Sequence, residues 1–175
     1  MKEFFSKNQG FTIVELATVM AIIFVISGFA AANYHRGDRA VILDNQASRL
    51  AQDFRRVQEW ALSSREIDGL APAGYGVHIP GAGNYYVLYA DNNGDKKYSA
   101  ESEIVETIFL DDKIEISVCQ PNPADINYAA PDLSGKITDG TVVNDFDWAK
   151  ITFRVKGGGQ TRVIAANIAG LVYVE

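Results

Sequence analysis

The stretch Lys7–Tyr34, KNQGFTIVELATVMAIIFVISGFAAANY, decides how this chain is built. From Phe11 to Tyr34 it is predominantly apolar, and 24 residues of helix rise about 36 Å, enough to cross a hydrocarbon core of about 30 Å. A secretory signal peptide has a shorter apolar region followed by a small-residue cleavage site. The pattern therefore predicts a single-pass transmembrane helix, with its amino terminus in the cytoplasm by the positive-inside tendency.

A plain membrane anchor does not explain Glu15. An ionisable side chain inside a spanning segment is costly and marks a functional position. Cleavage after Gly10 would create an α-amino group on Phe11, about one helical turn from Glu15. A neighbouring subunit, shifted along the helix axis, would present its own amine more directly. Such a pair would partly neutralise both charges and fix the register of adjacent helices.

The leader that ends in Gly10, followed by Phe11-Thr12-Ile13-Val14-Glu15-Leu16, resembles the type III signal of type IV prepilins and type II secretion pseudopilins. The resemblance implies cleavage between Gly10 and Phe11 by a prepilin peptidase, and N-methylation of Phe11. It also matches Glu15 with the fifth-position glutamate of that family, which serves assembly.

Beyond Tyr34 the apolar positions recur at helical spacing along one face. Gly37 could kink the helix or start a new segment, and Asp68-Gly69 is predicted to end it. Docking on a sheet is favoured over a coiled coil, because a strand-rich region follows. The apolar stripe consists of Leu43, Ala47, Leu50, Phe54, Val57 and Ala61.

From Gly74 onward, runs rich in Tyr, Val, Ile and Phe predict strands. Gly81-Ala82-Gly83 is predicted as a tight connection and Gly157-Gly158-Gly159 as a hairpin turn, whereas Gln120–Asp147 is predicted as a long surface loop. The candidate strands are Gly74–Ile79, Asn84–Ala90, Ile104–Phe109, Ile114–Cys119, Ala149–Lys156, Arg162–Asn167 and Leu171–Val174.

These patterns predict an α+β protein in which a long amino-terminal helix packs on an antiparallel sheet, and the resemblance implies the pilin fold. We divide the chain into a leader (1–10), a transmembrane or filament-core helix (11–36), an amphipathic helix (37–69) and a β-rich head (70–175). Without a carboxy-terminal helix, the arrangement looks most like the GspH/FimT-type minor pseudopilins. The single cysteine, Cys119, excludes an internal disulfide and is predicted to be a buried thiol.

The best ligand candidate lies between two candidate strands. Asp91, Asn93 and Asp95 alternate like the first oxygen ligands of a calcium loop, and Glu101 and Glu103 could close the site. Gly94 stands at the fourth loop position, where an EF-hand needs its glycine at the sixth. The alternative is a solvated hairpin loop in which Asn and Gly serve the turn.

Other conspicuous side chains have structural interpretations. We expect His35 to be an anchor at the membrane edge, and His78 to lie alone in a strand. Trp60 and Trp148 are expected to pack the head, whereas solvent-side tyrosines such as Tyr85 or Tyr86 could contact partners. Because no nucleophile has a histidine–acid partner by motif and no phosphate-binding loop is present, we expect no catalytic residues and no enzyme.

The leading hypothesis is a structural subunit that is assembled through its helix into a type II secretion pseudopilus or a type IV pilus. Its partners would be other such subunits, a prepilin peptidase and an inner-membrane assembly platform. It would lie in the cytoplasmic membrane with its head outside the cytoplasm, and then in a periplasmic or extracellular filament. The alternatives are a single-pass anchor whose acidic head binds calcium or a partner, and a FimT-like subunit of DNA uptake. The net charge of −6 argues against nucleic-acid binding.

Overall fold

A computed structural model describes residues 11–67, 69, 71–130, 135–140 and 146–175, with the helical backbone alone for residues 32–37. The chain divides into two units, Met1–Asp38 and Arg39–Glu175. Gly10 and the rest of the leader lie outside the described residues, as do Asp68 and the side chain of His35.

The one long helix among the described residues, α1, comprises Ile13–Leu62 and includes Gly37. The prediction that it ends at Asp68-Gly69 is wrong. Ser64 takes a positive φ of 45°, its N–H donates to the Ala61 carbonyl at 3.2 Å, and the N–H of Arg65 donates to the Trp60 carbonyl at 3.2 Å. These two hydrogen bonds form a Schellman motif, in which the residue of positive φ, here Ser64, is usually a glycine.

Strands follow the helix, so the α+β class is confirmed, but they form two antiparallel sheets where a single sheet was predicted. The five-stranded sheet has the order β3-β2-β1-β5-β6, and the four-stranded sheet has the order β4-β7-β8-β9. The strands are β1 Gly74–Ile79, β2 Tyr85–Asp91, β3 Ile104–Phe109, β4 Ile114–Gln120, β5 Ala124–Tyr128, β6 Gly135–Thr138, β7 Trp148–Val155, β8 Thr161–Asn167 and β9 Val172–Val174.

Both predicted glycine turns join antiparallel neighbours. Residues 80–84 connect β1 to β2, and residues 156–160 connect β7 to β8. The first connection also links the two sheets, because Gly83 and Ile116 exchange backbone hydrogen bonds of 3.2 and 2.7 Å. The two sheets are therefore coupled at that point through the main chain.

The prediction of a long surface loop over Gln120–Asp147 is wrong. Strand β5 pairs with β1 on one side and β6 on the other, and all five of its side chains are buried. Its polar members Asp125 and Asn127 alternate with apolar ones, as in a strand covered on both faces. Prolines before the strand and the Asp and Asn content concealed this alternation in the sequence.

The core lies between the second part of α1, residues 39–62, and the inner faces of the sheets. All six residues of the predicted stripe are buried, which confirms docking on the sheets. Trp60 and Cys119 also belong to this core, and burial raises the pKa of the Cys119 thiol to about 12. Trp148 was expected in the core as well, but it is 37% exposed on the four-stranded sheet.

Candidate functional site

The beginning of α1 is an apolar segment with exposed side chains. Ile13–Ala31 is long and apolar enough to cross a membrane, with a mean hydropathy of 2.3 and none of its side chains buried. Burying large apolar side chains of this kind is worth about 1.5–3 kcal/mol each. The segment is therefore suited to lipid or to other apolar helices.

Glu15 closes the first turn of this helix through reciprocal hydrogen bonds with Thr12. The carboxylate Oε2 accepts from the N–H and the hydroxyl of Thr12, both at 3.1 Å. In return, Thr12 Oγ1 accepts the N–H of Glu15 at 3.2 Å. Thr12 is thus the N-cap residue, Ile13 the first helical residue and Glu15 the third, which is the arrangement of a capping box.

The sequence held the signal for this capping box, since Thr12-Ile13-Val14-Glu15 is a Thr-x-x-Glu motif just before an apolar run. The interaction gives Glu15 a partner within its own chain, besides the amine of Phe11 that the sequence suggested. The negative charge also lies at the positive end of the helix dipole. Phe11 itself precedes the helix and is 91% exposed.

The candidate calcium ligands are engaged with the main chain of their own loop. Asp91 is buried and accepts the N–H of Gly94 at 2.6 Å and that of Lys96 at 2.9 Å. Buried Glu103 accepts the N–H of Ser99 at 2.8 Å and that of Ala100 at 3.3 Å. These bonds satisfy backbone donors that would otherwise be unpaired.

The remaining members of the candidate set lie on the surface. Burial acts to raise the pKa of Asp95, but hydrogen bonds from Ser99, from the N–H of Lys97 and from Asn93 outweigh it and lower that pKa. Glu101 begins a short 3₁₀ turn and is exposed. Within the described ranges, no three His, Cys, Asp or Glu side chains come together as a group that could hold a metal ion.

His78 is not alone, contrary to expectation. Its Nδ1 lies 2.6 Å from Oδ1 of Asp125, which is fully buried on the neighbouring strand β5. The ring of Tyr98, from the loop after β2, lies over His78 with ring centroids 4.5 Å apart. The sequence missed this pair because it placed Asp125 in a surface loop. Through the contact between Tyr98 and His78, the loop after β2 packs on the face of the five-stranded sheet that is turned away from the core.

A second buried polar pair joins α1 to this sheet. The hydroxyl of Tyr86 donates to Oδ2 of Asp53 at 2.6 Å, so Tyr86 is buried and is not the solvent-side tyrosine that was expected. Burial raises the pKa of Asp53, although the bond from Tyr86 acts against it. Burial and the bond to Asp53 both raise the pKa of Tyr86, which therefore stays protonated.

Compared with known proteins, the chain matches no family model, no curated protein and no solved structure. The functional argument therefore depends on its own residues.

Proposed function

We propose that this protein is a structural subunit, a minor pseudopilin or pilin, that assembles into a helical filament through the first part of α1. The observation that carries the proposal is an uncovered apolar segment, Ile13–Ala31, with one carboxylate, Glu15, in its first turn. The sequence before it, Gly10-Phe11, supports processing by a prepilin peptidase. Burial of many copies of this segment against one another would supply the driving force for assembly.

The capping box gives Glu15 two separable roles. As the third helical residue it satisfies the N–H of Thr12, a role that a glutamine also fulfils. As an anion it would attract the terminal amine of a neighbouring subunit, a role that requires the charge. Glu15→Gln therefore keeps the first role and removes the second.

The first experiment is mass spectrometry of the full chain from its native host. We expect the mature protein to begin at Phe11 and to carry one methyl group on the terminal amine. A chain that retains Met1 and its first ten residues would contradict the proposal and would favour the plain membrane anchor.

The second experiment compares Glu15→Gln with Thr12→Ala for recovery in sedimented filaments. We expect Glu15→Gln to lose incorporation, while Thr12→Ala, which removes the side-chain cap and leaves the charge, keeps most of it. Loss of a cap costs about 1 kcal/mol of helix stability, a local effect at the first turn. Equal incorporation of Glu15→Gln and the unchanged chain would show that the charge does not serve assembly.

A further inference from the structure

An exposed aromatic side chain marks the end of strand β3. Among the described residues after Asp38, Phe109 is the most exposed large apolar side chain, at 64%. Its ring lies beside that of half-exposed Tyr85, with centroids 6.0 Å apart. The connection to β4 adds the exposed carboxylate of Asp112. We call Tyr85, Phe109 and Asp112 the Phe109 knob.

A pocket of about 370 Å³ lies at the end of the four-stranded sheet where β4 finishes. Its volume falls within the range of binding pockets, about 300–1,000 Å³. The ring of Trp148 contacts that of Tyr173 edge to face, and Lys150 contributes a cation to the lining. We call it the Trp148 pocket; its lining residues are Gln120, Pro121, Phe146, Trp148 and Lys150.

The knob and the pocket lie at opposite ends of the same strand. The connection after Phe109 leads directly into β4, whose first residue, Ile114, pairs with Val155. Its last residue, Gln120, pairs with Lys150 in the pocket. A strand of seven residues is about 20 Å long, so the two surfaces of one copy are too far apart to meet each other.

We infer that the Phe109 knob of one copy seats in the Trp148 pocket of the next copy. The knob combines aromatic rings with a carboxylate and the pocket combines an aromatic ring with an ammonium group, so the two surfaces carry opposite charges. Because the two surfaces differ, the contact is heterologous, and in the open filament of the proposed function it repeats from one copy to the next. The inference rests on the proposed function and deepens it by naming the head contact that forms where copies of this chain follow one another in the filament.

Disulfide trapping tests the contact in the full chain. The variant carries Asp112→Cys and Lys150→Cys, with buried Cys119 changed to alanine to remove the native thiol. Two cysteines can be bridged only when their Cα atoms lie within about 7 Å, so a separation of about 20 Å excludes a bond within one copy. Oxidation in membranes is expected to give a ladder of dimers, trimers and larger species on a non-reducing gel.

The single-cysteine variants are the first controls, and neither is expected to give more than a dimer. Adding Phe109→Ser to the double-cysteine chain should lower the ladder roughly tenfold, the effect of losing one anchoring aromatic side chain. Ile104→Ser is the matched control, because Ile104 is exposed on the same strand β3 at its other end. It should leave the ladder unchanged.

The outcomes separate this contact from the filament itself. No ladder from chains that are cleaved at Gly10 and sediment as filaments would overturn the contact and leave the proposed function standing. A product of Lys150→Cys alone with a different protein would also overturn it. A ladder from chains that keep their first ten residues would support the contact and contradict the proposed function.

Discussion

The two parts of helix α1 carry similar apolar side chains in opposite environments. Phe24, in the first part, is 75% exposed, whereas Phe54, in the second, is completely buried. The first part is apolar on all sides, and the second is apolar along one stripe with charged residues elsewhere. The comparison teaches that the period of the apolar residues, rather than their number, tells which part of a helix packs against its own chain.

Matched truncations at these two phenylalanines test this comparison with the largest expected effect. Phe54→Ala should lower the free energy of unfolding of the 39–175 unit by about 3–5 kcal/mol, because it leaves a cavity in the core. Phe24→Ala should leave it unchanged. Urea unfolding in detergent, followed by tryptophan fluorescence, measures the free energy of unfolding of both variants. A large decrease in Phe24→Ala would contradict the conclusion that the first part of α1 does not stabilise the 39–175 unit.

Removing one hydroxyl tests how the second part of α1 is held on the sheet. Tyr86→Phe leaves the carboxylate of Asp53 buried without its donor, and we expect a loss of about 1–3 kcal/mol in the free energy of unfolding. Tyr85→Phe is the matched control on the neighbouring, half-exposed position and should change it by less than about 0.5 kcal/mol. Equal effects of the two substitutions would show that the buried bond contributes nothing.

The same carboxylate predicts a pH dependence. Because burial raises the pKa of Asp53 in the folded state above its usual value, the folded state binds the proton more tightly than the unfolded state. The contribution of Asp53 to stability is therefore largest below its unfolded pKa and falls as the pH rises through the folded pKa. The difference in unfolding free energy between the unchanged chain and Asp53→Asn should fall over that interval; a flat difference would contradict the assignment.

A substitution at the carboxy-terminal end of α1 should give a smaller change, an increase in the free energy of unfolding. Ser64 holds a positive φ in a Schellman motif, a conformation that glycine adopts without strain. Ser64→Gly should raise the free energy of unfolding by about 0.5–1 kcal/mol. Ser63→Gly is the neighbouring control and should not raise it. A loss in Ser64→Gly, measured by urea unfolding, would show that the serine side chain contributes more than the backbone gains.

Calcium should have the smallest effect on the stability of the protein. Asp91 and Glu103 already accept backbone donors, so we expect no shift of the unfolding midpoint at about 1 mM calcium, a concentration that occupies many extracellular sites. A rise would return the candidate set to consideration, and Asp95→Asn, on the surface of the loop, should then abolish it.

The sequence predicted the elements whose signals are local. The apolar stripe of α1 shows its helical period within two turns. The glycine-rich segments at 81–83 and 157–159 predicted the short connections between neighbouring strands. Strand β5 was missed because its burial depends on partners far along the chain: β1 on one side and the Tyr98 loop above. The end of α1 was missed because a serine occupies the position where glycine is expected.

The candidate site was predicted unevenly for the same reason. Glu15 stood out because a charge in an apolar run is visible in the sequence, and its Thr12 partner lies only three residues away. His78 and Asp125 are 47 residues apart, so only the pairing of β1 with β5 brings them together. The Phe109 knob and the Trp148 pocket likewise depend on strand register, which composition does not reveal.

Gly76 on β1 has a consequence for how this protein can change over time. A Cβ at this position would collide with the ring of Tyr89, which meets the ring of Tyr98 edge to face. Any larger residue at 76 would therefore have to arrive together with a smaller one at 89. In proteins that descend from this chain, positions 76 and 89 should therefore change together. The exposed residues of the loop after β2 should change independently of both.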